Sequence, residues 1–156
     1  MHDEQDTDGG RLTISTVIPT RNRPHDLLRA VKSVVMQHRS PDELLIIDQS
    51  TGEESKREVL DYFATFDQPI KLTYIHDIRI KGLVEAKARA VRESTGDVVS
   101  FLEDDIVLTP DYFLLMEQGF LEHPEMLGCS GVVTNVPDCG PVYRWLFKLF
   151  HRGIFF

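Results

Sequence analysis

GDVVSFLEDDIVLTPDYF, running from Gly96 to Phe113, joins a turn, a short apolar run, three acids and a helix start in one stretch. Gly96 and Asp97 punctuate the turn. Val98 to Leu102 is apolar, β-branched and aromatic, which reads as a buried strand. Glu103, Asp104 and Asp105 follow it directly, and Thr109 and Pro110 then supply an N-cap and first turn for a new helix. A buried strand that ends in acids carries them to the carboxyl edge of its sheet, where open α/β folds bind ligands. Adjacent carboxylates repel and call for a counter-charge, and a hard divalent cation such as Mg²⁺ or Mn²⁺ is the natural one. Taken alone, the same triplet also fits a solvated acidic loop that caps a helix.

Working back from this stretch, the chain alternates regularly. Leu12 to Ile18 reads as a first strand stopped by Pro19, and TRNRP as a polar basic loop. Pro24 opens a helix with Leu27, Leu28, Val31, Val34 and Val35 at helical spacing, closed by Arg39, Ser40 and Pro41. Leu44 to Ile47 is a second strand ending on an acid, Asp48. QSTGEES then leads into a helix with Val59, Leu60, Phe63 and Phe66 on one face. Leu72 to Ile75 is a third strand, followed by the loop HDIRIKG and an Ala-rich helix from Leu83 to Glu93. Forward of the acids, the spacing predicts a helix from Pro110 to His123 with Phe113, Met116, Phe120 and Leu121 inward, and a further strand over Leu127 to Thr134. Strand and helix alternating in this way mean βαβ units and a mainly parallel sheet with helices on both faces.

Composition bounds the function. The chain has 156 residues, enough for one domain with a real core. Its formal charge of −8, with no basic stripe, argues against a nucleic-acid partner. Cys129 and Cys139 lack zinc-site spacing and read as reduced thiols of a cytoplasmic protein. The acidic MHDEQDTDGG start has no signal-peptide pattern, and residues 1–10 read as a disordered tail. No apolar run of about 18 residues is present to span a membrane. The final stretch, VYRWLFKLFHRGIFF, is apolar and aromatic with interleaved cations, and it ends as if the chain were cut before its structure is complete. Such a tail either packs on the sheet or lies on the inner face of a membrane with Arg144, Lys148 and Arg152 toward headgroups. Otherwise it awaits a missing half and drives self-association until then.

The loops after strands one, two and four share one sheet edge. That edge gathers cations (Arg21, Arg23, Lys81 or Lys87), an isolated carboxylate (Asp48) and the acidic cluster. The combination suits a nucleoside diphosphate with a metal. The cations offset phosphate charge, Asp48 accepts from a base N–H, and the acids carry the metal and reach the ribose. Each residue also has a plainer reading: Asp48 as a turn residue, Arg21 and Arg23 as an exposed helix entry, Lys87 as a partner for Glu85 or Glu93.

STVIPTRNRP, ELLIIDQST, KGLVEAKARAVRESTGDVVSFLEDD and IVLTPDYF together resemble the N-terminal half of family 2 glycosyltransferases, in order and spacing, over most of Thr13 to Phe113. The resemblance implies a GT-A fold, Rossmann-like, with residues 11–156 forming its nucleotide-sugar-binding part and the acceptor half absent. It implies that Pro19, Thr20 and Arg21 line the nucleotide pocket and that Asp48 reads the base. Arg23, Gly82, Lys87 and Asp104 join the donor site. Glu103-Asp104-Asp105 takes the place of the family's Asp-x-Asp motif, with Asp105 on Mn²⁺ or Mg²⁺ and Glu103 toward the ribose and metal. The implied reaction is inverting transfer from a UDP-sugar to a saccharide or lipid-linked acceptor, its general base lying beyond residue 156. Two departures stand out: Glu103 replaces the opening Asp, and Ala86-Lys87-Ala88 replaces Ala-Arg-Asn, putting a point charge where a planar fork is usual. A sugar nucleotidyltransferase would need a Gly-rich loop after strand one, which TRNRP is not, and a non-catalytic nucleotide-binding fragment is the other alternative.

Overall fold

The computed structural model describes residues 10–65 and 69–135. The acidic start, Phe66, Asp138, Cys139 and the aromatic tail from Tyr143 to Phe156 lie outside the described residues. The chain divides into two compact units, Met1–Met126 and Leu127–Phe156. The elements of the first unit run β1 (Ile14–Thr20), α1 (Pro24–Val35), β2 (Glu43–Asp48), α2 (Glu54–Phe63), β3 (Lys71–His76), α3 (Gly82–Glu93), β4 (Val98–Phe101) and α4 (Tyr112–Glu122).

The four strands form one parallel sheet in the order β3-β2-β1-β4. Ile14, Ile18, Leu44, Ile46 and Leu102 point to one face and pack on Leu27, Val31 and Val34 of α1, Val59 of α2 and Phe113 of α4. Val17, Leu45, Ile47 and Val99 point to the other face and meet Ala86 and Ala90 of α3. Both faces are therefore covered, which is why β1 and β2 are buried along their whole length. The chain steps outward from β1 to β3 with α1 and α2 on one face, then returns across the sheet to β4 through α3 on the other. A change of direction with a change of face is what a constant crossover hand requires. The direction reverses between β1 and β4, so the crevice opens at their carboxyl ends.

Several features differ from the sequence expectation. β1 continues through Pro19, which pairs in register with Ile47 of β2. Pairing with β4 ends at Phe101 opposite Val17, so the missing proline N–H falls past the end of β4 and costs no ladder bond. α4 starts at Tyr112, not Pro110. The Thr109 carbonyl accepts from Gln37 Nε2 at 2.8 Å and the Pro110 carbonyl from the His38 amide at 3.0 Å, holding that segment as a turn. On α4, Leu121 faces outward and Glu117 is buried in its stead. Finally, residues 127–135 contain neither helix nor strand, so the expected strand over Leu127 to Thr134 does not form. Gly128 and Gly131 weaken any strand there.

The amino edge of the sheet is closed by polar groups. Arg39 forms a two-pronged pair with Glu117 at 3.0 and 3.1 Å, bonds Asp42 at 3.0 Å, and donates to the carbonyls of Leu12 and Ser40. Glu43 accepts from Lys71 and Ser15 at 2.8 Å each and from the Thr95 amide at 3.2 Å. Gly96 passes so close that an added Cβ would sit 2.8 Å from the Ser15 nitrogen, so only glycine fits. Burial alone would raise the Asp42 and Glu43 carboxyls. The Ile14 amide and Arg39 around Asp42, and Lys71 and Ser15 around Glu43, outweigh it and hold both below their usual range.

Removing one partner of the buried Arg39–Glu117 pair strands the other, so Glu117→Ala is expected to cost about 3 kcal/mol in urea unfolding. The depressed Asp42 and Glu43 carboxyls also set the acid limb. Their contribution is complete above the unfolded values of about 4 and is lost as pH falls through the lower folded values. Unfolding midpoints should therefore hold level from pH 7 to about 5 and fall below about pH 4. Glu43→Gln should flatten that fall.

Candidate donor site

Because all four strands are parallel, Thr20, Asp48, His76 and the residues after Phe101 emerge on one edge. Thr20 ends β1 and donates from Oγ1 to Asp104 Oδ2 at 2.8 Å. Arg23, one turn of loop later, donates from Nη1 to Asp104 Oδ1 at 2.9 Å and to Asp105 Oδ2 at 3.1 Å. The β1–α1 loop and the acidic cluster are thus joined across the crevice at the reversal of strand order. Its bond to Asp104, then that to Asp105, hold the Arg23 guanidinium above its ordinary value, so it is a permanent cation here. Within the triplet the acids alternate: Glu103 is exposed, Asp104 buried, Asp105 exposed.

The second cluster surrounds Asp48, which is fully buried at the end of β2. Its Oδ1 accepts from the Ser50 amide at 2.8 Å and its Oδ2 from the Tyr74 hydroxyl at 2.7 Å. Burial, and then the bond to Asp48, push the Tyr74 hydroxyl well above its usual range, so it remains a donor. Ser50 in turn accepts from the Asn22 amide at 2.7 Å, and Asn22 Oδ1 accepts from the Thr51 amide at 3.1 Å. His76 Nε2 donates to the Ser50 carbonyl at 2.8 Å. Asn22 has φ of 56°, a left-handed conformation that Asn tolerates better than most residues.

The remaining sequence-predicted residues are placed as follows. Pro19 is buried inside β1, and Arg21 is exposed on the β1–α1 loop. Gly82 starts α3 with φ of 83°, and its amide donates to Gln49 Oε1 at 2.9 Å, tying α3 to the end of β2. Lys87 lies on α3 with Nζ 5.2 Å from the centre of the Phe101 ring, a cation–π contact, and forms no ion pair with Glu85 or Glu93 among the described residues. Arg79 is engaged by Asp77 at 2.8 Å. Gln49, Ser50, Asn22 and Tyr74 were missed as site-shaping residues. Only Asn22 carried a signal, as the one Asn in a loop that must turn sharply.

A model of the family described as "Glycosyl transferase family 2" matches residues 15–154. The chain belongs to that family. A relative named putative colanic acid biosynthesis glycosyl transferase WcaA, from Escherichia coli (strain K12), is 29% identical over 137 residues, covering 83% of this chain and 48% of the relative. This chain thus spans about half the length of that relative. Among solved structures, the mannosyltransferase PcManGT from Pyrobaculum calidifontis, in complex with GDP-Man and Mn²⁺, superimposes with a TM-score of 0.60 at 19% identity, over 67% of this chain and 31% of that one. Glucosyl-3-phosphoglycerate synthase from Mycobacterium tuberculosis, in complex with Mn²⁺, UDP and glucosyl-3-phosphoglycerate, gives 0.54 at 22% identity over 70% and 40% of the two chains. These likenesses show the GT-A fold.

Tyr74→Phe removes the donor from a buried carboxylate oxygen. The expected loss is ~1.5–3 kcal/mol in urea unfolding, the range for a hydrogen bond to a charged group. Amide exchange should quicken at Ser50 and Thr51, and the protection of α4 should be unchanged at matched global stability.

Proposed function

We propose that this chain forms the donor site of a metal-dependent, inverting glycosyltransferase that uses a nucleoside diphosphate sugar, with a UDP-sugar as the leading donor. The observation that carries the reading is the juncture of Thr20 and Arg23 with Asp104 and Asp105 at the point where strand order reverses. It places cationic and acidic groups side by side at the one crevice an open parallel sheet provides.

The residues fit a divalent ion in a particular way. Among the described residues no three His, Cys, Asp or Glu side chains converge on a protein-only cage. Magnesium-like ions in phosphate sites are held by one or two carboxylates, with substrate phosphates and water completing the shell. Asp105, half-exposed beside the anchored Asp104, is suited to that role, and Glu103 is free to approach the ribose or share the ion. When bound, the ion neutralises charge on the departing diphosphate. Arg21, Arg23 and Lys87 add cationic charge toward the phosphates, while Pro19 and Thr20 shape the wall of the pocket. Asp48 sets the base end. The sequence alone has Asp48 accept from a base N–H. Here it is fully buried, with Oδ1 on the Ser50 amide and Oδ2 on the Tyr74 hydroxyl, so its influence on the base runs through the 48–51 loop it orders. The mannosyltransferase neighbour holds GDP-Man and the synthase neighbour UDP, both with Mn²⁺, in support of a nucleotide-plus-metal site and of either base.

The acceptor side has no assignment within the described residues. Glu117 is committed to Arg39, and Glu125 lies beside His123 at 3.5 Å. The acceptor is a saccharide or lipid-linked hydroxyl, and no helix of the described residues is long and apolar enough to cross a membrane.

Calorimetry with UDP and GDP, with and without Mn²⁺, tests the reading. Mn²⁺ should tighten binding of the preferred nucleotide, and Asp105→Asn should abolish that tightening while leaving the thermal transition intact. Asp48→Ala, by loosening the 48–51 loop, should blur the ranking of nucleotides and weaken the preferred one. Equal binding with and without Mn²⁺ in the unmodified chain would sink the metal-dependent reading.

A further inference from the structure

We propose that Arg23 is a tethered counter-ion that holds the Asp104–Asp105 pair when no divalent ion is bound, and that metal and nucleotide together displace it onto the diphosphate. The inference rests on the donor-site reading above and adds an exchange of cations to it.

The geometry is specific. A single nitrogen, Arg23 Nη1, serves both carboxylates, at 2.9 Å from Asp104 Oδ1 and 3.1 Å from Asp105 Oδ2. A nitrogen shared by two acids does the work of a bridging ion, and it occupies Oδ2, one of the two Asp105 oxygens a metal could use. A divalent ion bound to that oxygen with Arg23 in place would bring two cations together in one small site, which Coulomb repulsion opposes. The two acids are not equivalent. Asp104 is nearly buried and keeps the Thr20 hydroxyl at 2.8 Å whatever Arg23 does, whereas Asp105 has no other side-chain partner among the described residues. Asp105 is therefore the oxygen most readily surrendered to a metal.

Arg23 is also built to move. Its side chain is half-exposed, and although it occupies the N-cap position of α1, it makes no side-chain capping bond there. The helix start is held by Pro24 and by the Arg23 carbonyl, which accepts from the Leu27 amide at 3.0 Å, so the guanidinium can swing without loosening α1. Once displaced, it remains at the mouth of the same crevice, where its planar fork matches phosphate oxygens. Metal alone must break the pairing with Asp105 for no return. Metal with nucleotide gives Arg23 a new anion. The consequence is positive coupling between metal and nucleotide that passes through one side chain, equal in both directions.

The test is Mn²⁺ titration of the full chain by electron paramagnetic resonance, with and without UDP and GDP, on the unmodified protein, Arg23→Met, Arg23→Gln and Asp105→Asn. Thermal melting confirms that each variant is folded. In the nucleotide-free protein, Arg23→Met and Arg23→Gln should both bind Mn²⁺ about three- to tenfold more tightly than the unmodified chain, the scale of losing two partly exposed ion pairs. The same variants should show a smaller tightening of Mn²⁺ by nucleotide. Mn²⁺ affinity unchanged or weakened in both neutral variants overturns the proposal, and the metal reading survives it if Asp105→Asn still abolishes binding. Mn²⁺ binding indifferent to Asp105→Asn overturns the metal reading and the exchange with it.

Discussion

A carboxylate removed from water must find donors, and Asp104 is the carboxylate on which this structure turns. It is buried at the one crevice of the sheet, and both of its oxygens are satisfied from the opposite side of that crevice, by Thr20 and by Arg23. Those two bonds join the end of β1 to the segment after β4, strands that pair only through a four-residue β4. Without them the two loops would have little reason to lie together. The desolvation of one acid thus organises the loops that form the site, and the exposed neighbours, Glu103 and Asp105, are carried on a backbone whose position is already determined.

The two edges of the sheet carry similar residues in opposite roles. At the amino edge, Asp42, Glu43, Asp97 and Glu117 are each consumed by internal partners: arginine, lysine, threonine and backbone amides. At the carboxyl edge, Asp48 and Asp104 are consumed in the same way, Asp105 keeps one exposed pairing with Arg23, and Glu103 faces solvent. Charge count does not separate these edges. What separates them is whether an acid has a partner left to find, and that is set by the reversal of strand order, which opens a crevice at only one end.

The fold was legible because each level of the sequence agreed: apolar runs of strand length, helices with one buried face, and acids or cations at three strand ends. The errors came where distant residues overrode a local signal. Pro19 reads locally as a strand stop, yet it sits inside β1, because β4 ends before it and leaves no ladder for it to break. Thr109-Pro110 reads as a helix start, but Gln37 and His38, far back in sequence, claim their carbonyls. Glu117 carries no apolar signal, yet it is buried, because Arg39 pairs with it. Within the site, the residues named from the sequence do collect at one edge. The network through Asn22, Ser50 and Tyr74 was invisible, since its members are ordinary polar residues whose meaning lies only in whom they meet.

The acidic triplet shows how a motif with a free middle position arises from backbone geometry. Successive residues at the end of a strand point alternately inward and outward. Leu102 is buried, Glu103 exposed, Asp104 buried and Asp105 exposed, an alternation that runs from the end of β4 into the turn at 104–105. The first and third acids are therefore the pair left exposed, and the middle one is an interior residue in an acidic disguise. Its chemistry is directed at the protein: it anchors Thr20 and positions Arg23 within reach of Asp105. A middle residue of another type would remove the anchor that brings the cation to Asp105. In this chain the central acid is thus the link between a motif that reads as metal-binding and a loop that reads as phosphate-binding, and the two readings describe one site because of it.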